Sequence, residues 1–117
     1  MTLNALEVAV YVFLTTQPGQ AFDCAATETE EIFCTNGIRA GEGRPGMIEM
    51  SNGVSIEKTR DGQLRFSTGL TGYRNAIGWI EFSSGMSVRR MNPGLYKFNN
   101  GYSCSAEGPA AAHCSRP

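Results

Sequence analysis

From residue 47 to residue 99, apolar and polar side chains alternate with a period of two. One set comprises Ile48, Met50, Val54, Ile56, Leu64 and Phe66, then Ile80, Phe82, Met86, Val88, Tyr96 and Phe98, all apolar or aromatic. The intervening set comprises Met47, Glu49, Ser55, Glu57, Arg65 and Ser67, then Trp79, Glu81, Ser87, Arg89, Lys97 and Asn99; ten of these twelve are polar. Successive side chains of a strand point to opposite faces, so this pattern describes antiparallel strands with one dry face. It predicts strands over 47–50, 54–59, 64–67, 79–82, 86–91 and 96–99. Between them stand Ser51-Asn52-Gly53, Arg60-Asp61-Gly62, Ser83-Ser84-Gly85 and Asn92-Pro93-Gly94. A three-residue hairpin loop ending in Gly fits a type I turn closed by a left-handed residue. Asn92-Pro93-Gly94 fits it poorly, because Pro is disfavoured at the second central position. The last turn is expected to differ.

The pattern also repeats. Residues 46–70 match residues 78–102 at an offset of 32 without a gap, with identity at Gly46/Gly78, Ile48/Ile80, Glu49/Glu81, Ser51/Ser83, Gly53/Gly85, Ser55/Ser87, Gly62/Gly94, Phe66/Phe98 and Gly69/Gly101. No third copy fits at residue 15 or 111, which argues against a trefoil or a long solenoid. The expected fold is all-β: a small antiparallel barrel or sandwich of about 6–8 strands, in which two three-stranded repeats bury their dry faces in one core. Outside the copies, residues 27–32 are expected to form a short helix or an acidic edge strand, and residues 40–45 a Gly-rich loop. Residues 70–75 are expected to link the copies, and residues 106–112 to form coil or one helical turn.

Residues 5–14 are apolar but for Glu7, and Thr15 to Gly19 form a polar, Pro-containing break. Gly19-Gln20-Ala21 then places small residues where a signal peptidase needs them, so residues 1–21 read as an export signal cut before Phe22. The missing basic residue ahead of the run speaks against this; the alternative is a β-strand or short helix of the domain itself. Residues 22–117 then form a single β domain. The four cysteines, Cys24, Cys34, Cys104 and Cys114, support export independently, as an even count in a short chain reads as two disulfides. Their spacing is wrong for structural zinc, whose ligands come two to four residues apart. Neighbouring residues of an extended chain point opposite ways, so His113 and Cys114 are poorly placed to join Cys104 in such a site. Nested pairing (Cys24–Cys114, Cys34–Cys104) and local pairing (Cys24–Cys34, Cys104–Cys114) both suit the spacing. The longer loops of the nested pattern restrict the unfolded chain more and tip the expectation towards it.

Composition narrows the function. The chain has 117 residues, room for one domain. Ten basic and eleven acidic residues leave a net charge of −1, which argues against nucleic acid as the main partner. No apolar stretch reaches the roughly 18–20 residues of a membrane span. Nucleophilic catalysis lacks its parts, with one His and no Gly-x-Ser-x-Gly turn. Glu49 and Glu81 occupy equivalent places, as a glycosidase pair would, but a solvated Glu is ordinary on a polar face. Nor does any Gly-rich loop of phosphate-binding type occur; no cofactor and no metal are expected.

What remains is recognition. Trp79 falls on the polar face across the hairpin from Arg89, with Glu81 diagonal to that Arg, and a Trp among charges is the usual make-up of a binding hot spot. Residues 22–49 hold six acids and two bases, whereas residues 54–103 hold seven bases and three acids, including Arg65, Arg74, Arg89 and Lys97. An acidic protein or a polyanionic glycan suits that half; so does the acidic N-terminal segment of the chain itself.

One family adds to this. Phe33-Cys34-Thr35-Asn36-Gly37, then Thr68-Gly69-Leu70-Thr71-Gly72-Tyr73, then Glu81-Phe82 and Gly85, resemble the bacterial periplasmic inhibitors of C-type lysozyme, over about a third of the chain. The resemblance implies an exported β-barrel whose loop around Thr68 to Tyr73 enters the lysozyme cleft. In that loop Thr68 stands for the family's Ser, with one extra residue before Tyr73. The expected protein is therefore a non-enzymatic, periplasmic or secreted binding domain for a protein or glycan, acting through Trp79, Glu81, Arg89 and Lys97 or through Thr68, Tyr73 and Arg74. The alternative is a structural or accessory subunit of a cell-envelope or surface assembly; a small hydrolase comes last.

Overall fold

A computed structural model describes residues 4–16, 20–27, 31–44, 46–59, 61–74, 79–92, 94–108 and 110–115. Among these residues the chain forms one helix, α1 (Ala5–Thr16), followed by strands β1 (Phe22–Ala26), β2 (Ile32–Cys34), β3 (Arg39–Glu42), β4 (Met47–Met50), β5 (Ser55–Lys58), β6 (Leu64–Phe66), β7 (Thr71–Arg74), β8 (Ile80–Phe82), β9 (Ser87–Asn92), β10 (Leu95–Phe98), β11 (Ser103–Ala106) and β12 (Ala111–Ser115). Every strand pairs antiparallel with its neighbours in sequence, and β1 pairs with β12, so that the twelve close into a barrel. The all-β, antiparallel reading with two disulfides holds. The strand count of 6–8 does not, and the three-stranded copies are not separate sheets: β7 joins them into one ladder.

The residues expected on the dry face are the ones that line the lumen. Ile48, Met50, Ile56, Leu64, Phe66, Phe82, Val88 and Phe98 are buried, and Val54, Ile80, Met86 and Tyr96 pack against them. Four of the extra strands, β3, β7, β11 and β12, were hidden because inward side chains on them are small. Ala40, Gly72, Cys104 and Ala112 are buried on β3, β7, β11 and β12 but give no apolar alternation to read. Residues 40–45, 70–75 and 106–112 therefore read as loop, link and coil, whereas β3, β7 and the ends of β11 and β12 occupy much of them. Residues 28–30, inside the expected acidic helix or edge strand, lie outside the described residues, as does Pro93. Gly94 lies outside the left-handed region, in keeping with a different last turn.

Tight turns follow β2, β4, β6, β8 and β10, each closed by a glycine at φ between +89° and +98°: Gly37, Gly53, Gly69, Gly85 and Gly101. These lie sixteen residues apart, half the offset seen in the sequence. The residue that opens each turn also binds the preceding hairpin. Side-chain oxygens of Thr35, Ser51, Ser67, Ser83 and Asn99 accept backbone N–H bonds from Asp23, Arg39, Ser55, Thr71 and Ser87 at 2.9–3.2 Å. A short polar side chain therefore ties each turn to its neighbour, which explains the recurrent Ser, Thr or Asn.

Residues 5–16 form a helix, not a strand, and it lies inside the barrel. Asn4 caps it, its Oδ1 accepting the Glu7 N–H at 3.1 Å. A helix that is apolar all round must be surrounded by apolar material. Here the unbroken run from Val8 to Leu14 is buried. An eight-stranded barrel is just filled by its own side chains, so twelve strands leave room for a further element. The helix supplies it, lying nearest β1, β2, β11 and β12. Phe13 stacks on Tyr102 with ring centres 4.2 Å apart and meets Phe98 at 4.4 Å. Tyr102 in turn donates its hydroxyl to the Gln20 carbonyl at 2.7 Å, where the chain leaves the lumen for β1.

The disulfides are local, Cys24–Cys34 and Cys104–Cys114, and the nested expectation is corrected. Cys24 stands opposite Cys34 on β2, and Cys104 opposite Cys114 on β12. Across the β1–β12 seam the partner numbers sum to 136, so Cys24 faces Ala112 and Cys114 faces Phe22. The nested pattern needed a sum of 138, two residues out of register, and it needed β2 beside β11, which the seam strands separate.

Candidate functional site

Two regions carry the residues that chemistry would use: the outer wall over β6 to β10, and a cavity at one end of the lumen. On the wall, Trp79 precedes β8 and is half-buried, with the Arg89 guanidinium 4.9 Å from its ring centre. The expected Trp79–Arg89 stack is thus present. Glu81 stands opposite Tyr73 on β7 and Ser87 on β9, and Lys97 stands opposite Arg89. Tyr73 is 54% exposed, among the most exposed large apolar side chains described. Arg65 lies outward on β6, opposite Glu57. Trp79, Glu81, Arg89, Lys97 and Tyr73 are therefore brought together.

Thr68 and Arg74 are not. Thr68 belongs to the tight turn closed by Gly69, while Tyr73 sits at the opposite end of β7; residues 68–73 are a turn and a strand, without a projecting loop. Arg74 shares a face with Gly72, whose inward side is covered by the Phe82 ring; a Cβ there would lie 2.5 Å from it. Arg74 thus points to the lumen side and lines the cavity.

That cavity measures about 610 Å³ and opens where the helix begins, between α1 and strands β5 to β8 and β10. Leaning on the β11–β2 side, the helix leaves the far side unfilled. Val10, Tyr11, Leu64, Ile80, Phe82 and Tyr96 form its walls, and Glu7, Lys58, Asp61 and Arg74 its mouth. Lys58 Nζ lies 2.6 Å from Glu7 Oε1, and the Tyr11 hydroxyl donates to the same oxygen at 2.9 Å. Burial, and next the Glu7 carboxylate beside it, push the Tyr11 phenol well above its ordinary value. Asp61 is fully exposed; the Thr59 hydroxyl it accepts holds its carboxyl below the ordinary carboxylate value. Lys58, Glu7 and Tyr11 escaped the sequence reading. Glu7 looked like a flaw in an export signal, and Lys58 was simply a polar residue at a strand end.

The catalytic candidates fare worse. Glu49 on β4 and Glu81 on β8 both face outward, four strands apart. At roughly 4.8 Å per strand, that is beyond the 5–10 Å or so over which two carboxyls share a glycosidic bond. His113 Nδ1 meets Asp23 Oδ1 at 2.7 Å across the seam, and the neighbouring cysteines are committed to a disulfide. Glu107 completes an exposed group with these two, within 4.8 Å; exposed carboxylates gather in this way without any ion.

Comparison with known protein families, curated proteins and solved structures finds no match. The class is therefore set by the fold itself: a closed meander barrel, built of short hairpins and filled by an N-terminal helix.

Proposed function

We propose that this chain is a non-enzymatic binding domain acting outside the cytoplasm, periplasmic or secreted, and that it recognises an acidic protein or glycan surface through the wall of β7 to β10. The observation that carries this reading is the Arg89 guanidinium held over Trp79 with Lys97 directly opposite. Like charges facing each other across a sheet destabilise the pair, and an anion bridging them would relieve that cost. A closed barrel offers no strand edge for a partner to extend, so recognition falls to side chains on the wall. Two disulfides in so short a chain support an oxidising compartment. No helix among the described residues is long and apolar enough to cross a membrane. The lysozyme-inhibitor form of the reading would need a projecting loop at Thr68 to Tyr73, and it is the less favoured form for that reason. As for residues 1–21, the packing of α1 favours a helix retained in the domain over a leader lost before Phe22.

The test is binding to immobilised uronic-acid and sulfated glycans, with neutral glycans and an acidic protein surface alongside. Expected are capture by an acidic surface that weakens with added salt, and its loss in an Arg89→Ser, Lys97→Ser double variant that still folds. Capture unaffected by the double variant would overturn the reading. A chain that behaves as a stable oligomer with this wall protected would move it to the assembly class.

A further inference from the structure

The cavity at the mouth of the barrel is a second site, chemically unlike the outer wall. Its walls are aromatic and aliphatic, whereas its rim is charged, and the volume is within the range of small-molecule sites, roughly 300–1,000 Å³. The rim has a pattern that repeats with the turns. Strand alternation places Lys58, Arg74 and Arg90 on the lumen side, two residues beyond Ile56, Gly72 and Val88 on β5, β7 and β9. They stand opposite Leu64, Ile80 and Tyr96, each of which lines the cavity. Three successive hairpins therefore carry a cation at the same level. Lys58 is engaged by Glu7. Neither Arg74 nor Arg90 has an ion-pair partner among the described residues.

A cation at the lip of an apolar hollow selects a molecule with the opposite layout. We propose that the cavity binds a small anionic amphiphile, a medium-chain carboxylate in chemical class, with its acid group at Arg74 and its apolar chain between Tyr11 and Phe82. The mouth also carries two acids: Glu7 accepts from Tyr11 and is paired with Lys58, and Asp61 accepts from Thr59 in the turn between β5 and β6, so the place for the ligand's acid group is at Arg74 on β7. The helix forms one wall, so the site exists only while α1 is in place. It depends on neither Trp79 nor Lys97, and stands or falls separately from the proposal for the outer wall.

The experiment is calorimetric titration of the full disulfide-bonded chain with sodium decanoate below its micelle threshold. Decanol and decyltrimethylammonium serve as neutral and cationic counterparts. Expected is saturable one-to-one binding of decanoate, weakened roughly tenfold or more in Arg74→Gln, with decyltrimethylammonium weaker than decanol. Arg74 is exposed, so that variant should fold as the parent does. Leu64→Trp, which fills the hollow, is expected to abolish binding. Should this second variant fail to fold, the ranking of the three ligands still decides. Absence of saturable decanoate binding, equal affinity for the cationic ligand, or a loss caused by Trp79→Ala but not by Arg74→Gln would each overturn the proposal.

Discussion

The two sides of the barrel are built from the same hairpin but filled differently. Around the seam, most inward positions are small, Cys24, Cys34, Cys104, Cys114, Ala112 and Ala40, with Phe22 and Ile32 the large exceptions, and the helix lies close against them. On the opposite side the matching positions hold Phe66, Phe82, Ile80 and Tyr96, yet that side keeps a hollow of about 610 Å³. The helix packs on the side where most inward residues are small, and the larger side chains opposite do not close the gap. Stability is thereby concentrated at the stapled side, and free volume, cations and the Trp79 stack at the other. Binding groups can be accommodated where packing is loosest, because the opposite half already holds the fold together.

The sharpest way to break this contrast is to empty the tight side. Phe13→Ala removes a ring held between Tyr102 and Phe98 and should cost about 3–5 kcal/mol in denaturant unfolding. A loss as small as that of an exposed substitution would mean that the helix is not part of the core. That result, together with an intact mass starting at Phe22, would restore the leader reading of residues 1–21. Next in size, replacing Cys24 and Cys34 by Ala should cost about 2–4 kcal/mol in the same unfolding measurement, because the bridge closes a loop that restricts the unfolded chain.

On the loose side the effect is smaller and depends on pH. The folded phenol of Tyr11 is raised above its unfolded value of about 10, so the folded state holds its proton more tightly. Its stabilising share is complete below pH 10 and is lost as pH rises beyond it. Tyr11→Phe should cost about 1 kcal/mol near neutrality and flatten the decline of stability above pH 10. An unchanged decline in unfolding scans would show that the phenol does not drive it.

How far the sequence foretold this molecule follows the same division. Wherever inward residues were large, as at Ile48 to Phe66 and Ile80 to Phe98, alternation exposed both strand and face. Wherever they were Ala, Gly or Cys, the pattern vanished and strands such as β3 and β7 read as loops. The helix was visible as an apolar run, but nothing local distinguishes a segment buried in its own barrel from one addressed to an export machinery. Trp79, Arg89 and Lys97 were found because cross-strand pairing follows from the hairpin register. Arg74, by contrast, was assigned with Thr68 and Tyr73 to a loop linking the copies, since the strand that turns it inward was not recognised. The cavity itself is a difference between two packings and leaves no mark on any single residue.

The pairing of the cysteines has one more consequence. Each disulfide fastens a strand to a near neighbour in sequence, so neither crosses the β1–β12 seam, where Asp23 meets His113 across ninety residues of chain. The ring is consequently a ribbon shut by a latch of hydrogen bonds, with no covalent clasp. Reducing both bridges would leave that closing pair untouched, since the seam is held by its backbone ladder, the Asp23–His113 contact and the helix packed against β1 and β12.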